Sequence, residues 1–262
     1  MNILFYLTAF LFSLGQLGRV SFFNQQINFY LYEVALILSL FFLFFKYRLQ
    51  PIKEAWKKYK SVFFFLFILL LSLLIDLHKY SFFNNIIGFL YFFRLLLYFL
   101  YFFYLKYRPQ SIKNGIFIIA VLTILSTLIQ YFLYPDLRNL IYQGWDPHLY
   151  RTFGVFFDTS ISSAIFGMII IYVIREFNNF SFSKMSRWLL LITFSALGIF
   201  TYSRGFYISI IITLIYYLIK SKKIQYLLFI LLLFITSLVI IPKPFGEGVN
   251  LLRTYSIGSR LK

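Results

Sequence analysis

The sequence predicts an all-α membrane protein, built as a polytopic bundle of about nine transmembrane helices. Hydrophobic residues make up 61% of the chain and charged residues only 13%. The apolar residues fall in long runs, and the basic residues gather in every second connection between those runs. A soluble domain does not need so large an apolar fraction. We therefore expect one membrane domain over residues 1–262.

Nine apolar segments define the predicted spans. Most approach the roughly 20 residues with which an α-helix crosses about 30 Å of hydrocarbon. They lack the strict alternation of strands, so helices rather than a closed barrel are expected. The first segment has no basic region or small-residue cleavage site before it, which indicates a retained helix. The segments are Ile3–Leu17, Ile27–Phe45, Val62–Ile75, Phe82–Leu105, Ile116–Tyr134, Val155–Ile174, Trp188–Tyr202, Phe206–Ile219 and Ile224–Ile241.

The seventh and eighth segments form a short hairpin. Their arms of about 15 and 14 residues extend little more than about 20 Å each, which is less than the hydrocarbon thickness. Two spans in a thinned region and a re-entrant pair both fit, because each returns the chain to the cytoplasm at Lys220.

The basic residues predict the orientation. Those after segments two, four, six and eight share one side, which the positive-inside rule makes cytoplasmic together with the N-terminus. Pro135–Arg151 and the tail after segment nine then face outward. Most of the net charge of +17 is explained by topology, so no nucleic-acid partner is expected. The cytoplasmic set is Lys46, Arg48, Lys53, Lys57, Lys58, Lys60, Lys106, Arg108, Lys113, Arg175, Lys184, Arg187, Lys220, Lys222 and Lys223.

Cysteine is absent, which excludes disulfides, thiol catalysis and thiolate metal sites. His78 and His148 are the two histidines, and they do not have the spacing of metal ligands. We expect neither a metal nor another cofactor.

A set of arginines remains on the outward side. Arg204 lies between two uncharged apolar runs, Arg151 immediately precedes segment six, and Arg253 and Arg260 follow segment nine. Arginine suits phosphate because its planar fork donates two parallel hydrogen bonds and stays charged. A lipid diphosphate is the expected ligand. The alternative is that these arginines bind phospholipid headgroups, snorkel, or cap a hairpin at the bilayer surface.

Arg94 differs from the others because it lies near the middle of segment four, where it cannot easily reach the membrane surface. We expect it to face the bundle interior or a water-filled cavity, with Glu33 of segment two as one possible partner. A structural Arg94–Glu33 pair and a role in ligand binding both stay open.

Three sequence landmarks occur in order: Tyr150–Asp158, Thr201–Gly205 and Arg253–Leu261. Over roughly residues 85–262 the chain resembles the O-antigen ligase and O-antigen polymerase superfamily of membrane glycosyltransferases. Where members often read Asp-Pro-Asn after the first landmark, this chain has Asp158-Thr159-Ser160.

The resemblance implies glycosyl transfer on the outward face of the bacterial inner membrane. The donor would be a polyprenyl-diphosphate-linked saccharide, and the acceptor a sugar hydroxyl on lipid A-core or on another lipid-linked repeat unit. By position, Arg151 and Arg204 are the main candidates to bind the donor diphosphate, followed by Arg94, Arg253 and Arg260.

The same family carries a functional histidine on an outer loop after the third landmark. The sequence ends at Lys262, so we expect residues 242–262 to begin that loop and the catalytic base to be missing. We expect such a chain to bind the diphosphate without catalysing transfer alone. Neither His148 nor His78 is expected to be the base.

Two other functions fit the same composition. A transporter or flippase for lipid-linked saccharides would also use an outward arginine cavity, but it would show repeat symmetry and charges in several helices. A noncatalytic membrane scaffold would not depend on Arg204 or Arg151.

Overall fold

A computed structural model of the chain describes residues 2–23, 25–143, 149–175 and 184–220, which are mostly helical. The chain divides into two compact units, Met1–Ile119 and Ala120–Lys262. The single membrane domain predicted from the sequence stays a prediction.

The first unit contains five helices, the beginning of a sixth, and a short β-hairpin. The fourth predicted segment has the same bounds as α5. The hairpin was not predicted and is paired antiparallel, with Arg19 opposite Tyr30 and Phe22 opposite Ile27. The elements are α1 (Asn2–Phe12), β1 (Arg19–Phe22), β2 (Ile27–Tyr30), α2 (Leu31–Tyr47), α3 (Gln50–Lys58), α4 (Lys60–Ile75), α5 (Phe82–Leu105) and α6 (Pro109–Leu133).

Local capping explains where two of these helices begin. The carboxylate of Glu33 accepts a hydrogen bond of 3.1 Å from the backbone N–H of Tyr30. This bond caps the start of α2 directly after the last residue of β2. Ser81 caps α5, because its hydroxyl accepts a 3.3 Å bond from the N–H of Asn84. Each cap satisfies a backbone donor that the helix itself leaves unpaired.

The second unit contains the remainder of α6 and three further helices, α7 (Thr159–Arg175), α8 (Lys184–Phe200) and α9 (Arg204–Lys220). Helix α7 packs against both α8 and α9. Phe166 and Phe194 are both buried, and their rings lie 5.8 Å apart between α7 and α8.

Among the described residues, three helices are long and apolar enough to cross a membrane: Lys60–His78, Phe82–Leu105 and Pro109–Leu133. Large apolar side chains remain on their outer surfaces, including Phe64 at 65% exposure and Phe93 at 56%. These features indicate membrane association. Four other predicted spans overlap shorter apolar helices: Ile3–Phe12, Thr159–Arg175, Trp188–Phe200 and Arg204–Thr213. The second predicted span is divided between β2 and the 17-residue helix α2, and Ile224–Ile241 lies outside the described residues.

Arg94 and Glu33 form an ion pair, as one of the two interpretations of Arg94 predicted. The Arg94 Nε lies 2.7 Å from the Glu33 Oε1, and both side chains are largely buried. The Arg94 guanidinium also donates to the carbonyl oxygen of Asn28 in β2. Tyr98 donates to Glu33, and its hydroxyl lies 2.9 Å from that of Tyr32. Arg94 therefore joins α5, α2 and the hairpin.

Arg94→Met should destabilise the protein by about 3–5 kcal/mol, because it leaves the buried Glu33 carboxylate without its counter-ion. The double variant Arg94→Met/Glu33→Gln should lose less stability than the two single variants lose together, because it leaves neither charge unpaired. Denaturant unfolding of the purified protein in detergent measures these differences. Lys79→Met is the control, since Lys79 is paired with Asp76 but 68% exposed, and should cost about 0–1 kcal/mol. Equal costs for Arg94 and Lys79 would contradict the assignment.

Candidate functional site

The second unit brings the first two landmarks together. Residues 150–158 precede and cap α7, and residues 201–205 connect α8 to α9. Hydrogen bonds from Arg151 to the carbonyl oxygen of Thr201 join the two segments, and Thr152 bonds to the end of α8 just before the second segment. We call this region the arginine junction, defined by Arg151, Thr152, Asp158, Thr159, Ser163, Thr201, Tyr202, Ser203 and Arg204.

The end of α8 explains why the first landmark lies there. The last carbonyl groups of a helix have no partner within the helix, and burial makes an unpaired carbonyl costly. Thr152 donates its N–H to the carbonyl of Phe200 at 3.1 Å and its hydroxyl to that of Leu197 at 2.7 Å. The first landmark therefore supplies donors to a helix that ends some fifty residues later.

Arg151 completes this cap. Its Nε and one Nη donate to the carbonyl oxygen of Thr201 at 2.9 and 2.7 Å, and the same Nη lies 3.1 Å from the Thr159 hydroxyl. Arg151 is only 5% exposed. A buried cation at the C-terminal end of a helix also interacts favourably with the helix dipole, by up to about 2 kcal/mol. Arg151 therefore positions the turn before Arg204.

Gln130 in α6 also binds the first landmark and was not among the predicted site residues. Its Oε1 accepts from the N–H groups of Phe153 and Gly154, both at 3.0 Å. Its Nε2 donates to the carbonyl of Arg151 at 3.1 Å. A buried amide within an otherwise apolar segment was the available signal, because such residues rarely lie in a span without a partner.

Arg204 is the first residue of α9 and is partly buried. The positive end of the α9 dipole and its first backbone N–H groups favour an anion there. The beginning of α7 is close by, since the hydroxyls of Ser163 and Ser203 lie 3.1 Å apart. Asp158 caps α7 by accepting from the N–H groups of Ser160 and Ile161. Two helix N-termini and two arginines therefore meet in one region.

The first and second landmarks each contain a residue with backbone in the left-handed region. The φ angle is 55° at Phe157 and 51° at Tyr202, and such conformations cost of order 1–3 kcal/mol in residues other than glycine. Gly154 also has a φ of 55°, and an added Cβ would lie 2.8 Å from the Thr127 hydroxyl. The surrounding hydrogen bonds hold these turns in place.

The remaining candidate residues are not part of the arginine junction as described. Arg94 belongs to the first unit, where it pairs with Glu33, and its predicted binding of diphosphate stays a prediction. Arg253, Arg260 and His148 lie outside the described residues. His78 ends a short 3-10 turn after α4 and is exposed. In the described ranges, no group of three or more histidine and acidic side chains could hold a metal ion.

Gly198→Ala should disturb the junction, whereas Gly205→Ala should not. A Cβ at Gly198 would lie 2.0–2.6 Å from three atoms of the Phe206 ring, which is 2% exposed and cannot move aside without repacking. We expect a loss of about 1–3 kcal/mol from this overpacking.

The matched control has room for its methyl group, because a Cβ at Gly205 would meet only the Ser203 hydroxyl at 3.7 Å. Thermal unfolding followed by circular dichroism in detergent measures both variants. Similar melting temperatures for the two would show that the Gly198–Phe206 contact does not hold α8 and α9 together.

Comparison with known proteins identifies no relative: no protein-family model matches the chain, and no curated protein or solved structure matches it.

Proposed function

We propose that the protein takes part in glycosyl transfer from a polyprenyl-diphosphate-linked saccharide during assembly of O-antigen or another surface polysaccharide. The resemblance of the three landmarks to the O-antigen ligase and polymerase superfamily supports this proposal. The acceptor is a sugar hydroxyl on lipid A-core or on a second lipid-linked repeat unit. The reaction would take place on the outward face of the bacterial inner membrane.

The observation that carries the proposal is the position of Arg204. It stands at the positive end of α9, directly after a turn whose Thr201 carbonyl is held by the buried Arg151. The positive end of the α9 dipole adds to the same potential, whereas the first N–H groups of α7 already bond to the Asp158 carboxylate. This combination favours a compact, multiply charged anion over a neutral sugar or a cation.

The chemistry assigns different tasks to the two arginines. As the bond between the anomeric carbon and the diphosphate oxygen breaks, negative charge grows on the departing diphosphate. In this proposal the Arg204 guanidinium binds that charge, most strongly in the transition state. Arg151 acts as a positioning residue, since its Nε and one Nη already bond to protein oxygens.

The proposed membrane topology has nine spans, with a cytoplasmic N-terminus and an outward loop at residues 135–151. Because the chain contains no cysteine, single cysteines can report each side without background. Asn139→Cys should react with a membrane-impermeant maleimide in intact cells, while Lys57→Cys should react only after lysis. Both positions are exposed, so burial does not confound the comparison. Labelling of Lys57→Cys in intact cells would contradict the proposed topology, because it would place residue 57 on the outward side.

Arg204→Ala should weaken binding of polyprenyl diphosphate to the purified chain in nanodiscs by about tenfold to a hundredfold. That range corresponds to the loss of one charge-assisted hydrogen bond of about 1.5–3 kcal/mol. Arg204→Lys should restore only part of the affinity, because an ammonium group lacks the bidentate fork. Microscale thermophoresis gives the dissociation constants, which should rise with salt.

Arg138→Ala provides the matched control. Arg138 is an exposed arginine in the same unit, 2.7 Å from the Asp136 carboxylate, and lies outside the arginine junction. Its removal should leave the affinity within about twofold, as expected for an exposed pair worth roughly 0–1 kcal/mol. Equal losses in the Arg138 and Arg204 variants would indicate general charge attraction. Unchanged affinity in Arg204→Ala would contradict the proposal that Arg204 binds the diphosphate.

A further inference from the structure

The helix α3 and the residues that flank it carry a strong positive charge. Residues 46–60 contain six basic side chains and one acidic side chain, Glu54. All six basic side chains are exposed: Lys46, Arg48, Lys53, Lys57, Lys58 and Lys60. The Nζ of Lys106 lies 3.9 Å from the Glu54 carboxylate, so the acidic side chain already has a basic neighbour. This surface therefore suits an anionic partner.

The side chains of α3 form three distinct faces. Pro51 and Ala55 lie four residues apart and are buried on the side that packs against α5. One position further along, Ile52 packs against the core residues of α2 and α5, whereas Trp56, one turn later, is 58% exposed. Lys53 and Lys57 lie four residues apart and form the third face, which is basic and exposed. An exposed tryptophan beside a basic face is typical of a helix at a membrane interface.

The contacts of Trp56 place this helix at the end of a membrane span. Its ring lies 4.9 Å from that of Phe63, in an edge-to-face arrangement, within the first turn of α4. Helix α4 begins at Lys60 and belongs to an apolar stretch with a mean hydropathy of 2.4. Tryptophan is enriched at this depth, because its ring is apolar while its N–H can reach water or headgroups.

We propose that α3 lies flat on the membrane and binds anionic phospholipid headgroups through Lys53 and Lys57, with Trp56 inserted beside the upper acyl chains. The ligand class follows from the net positive charge of this segment and from its position at the end of α4. The proposal is independent of glycosyl transfer, since it uses only residues of the first unit.

Quenching of Trp56 fluorescence tests the proposal. A variant with Trp145→Phe and Trp188→Phe keeps Trp56 as the single tryptophan of the chain. It is placed in nanodiscs that contain equal fractions of phosphatidylglycerol and phosphatidylcholine, with bromine on the acyl chains of one lipid at a time. Brominated phosphatidylglycerol should quench Trp56 more strongly than brominated phosphatidylcholine, and high salt should reduce that preference.

Lys53→Gln/Lys57→Gln should lower the preference for phosphatidylglycerol by about fivefold for each lysine removed. Lys79→Gln/Arg138→Gln is the control, because it also removes two exposed positive charges but leaves α3 intact. If the single-tryptophan variant does not fold, the difference between the natural chain and Trp56→Phe gives the same signal. Equal quenching by the two lipids, no quenching by either, or the same loss in the control would each overturn the proposal.

Discussion

The carbonyl groups at the end of α8 are the constraint on which the second unit depends. In an apolar setting, a backbone oxygen without a donor costs several kcal/mol, so other parts of the chain must supply donors. Thr152 and Arg151 supply them to Leu197, Phe200 and Thr201. The same need explains Gln130, whose amide pairs with backbone groups of the first landmark. At the arginine junction, the buried side chains of Arg151, Thr152 and Gln130 all bind backbone groups.

Part of the fold could be predicted from the distribution of apolar residues along the chain. Phe82–Leu105 was predicted with its observed bounds, because a long apolar run with a serine before it specifies a helix with little ambiguity. The β-hairpin was missed, since Ile27–Tyr30 continues without a break into the apolar residues of α2. Four residues of alternating Ile-Asn-Phe-Tyr are too short a strand signal beside such a run. The amphipathic character of α3 was likewise hidden within a loop identified only by its charge.

An ion pair could be predicted where both partners were charged. Glu33 could be named as a partner for Arg94 because a charge within a span needs its opposite nearby. The role of Arg151 could not be derived in this way, because its main acceptor is the backbone of Thr201, fifty positions away. Backbone acceptors have no signature in the sequence of side chains. Only the folded chain shows which helix end an arginine reaches.

The cap on α8 has a consequence for synthesis. Arg151 leaves the ribosome before α8, so its guanidinium exists for a time without the carbonyl of Thr201 that later accepts its hydrogen bonds. During that interval the Arg151 side chain must stay solvated, since an arginine is costly to bury without a partner. The loop therefore closes only after α8 has formed. Completion of the junction is coupled to the arrival of a helix that is made later.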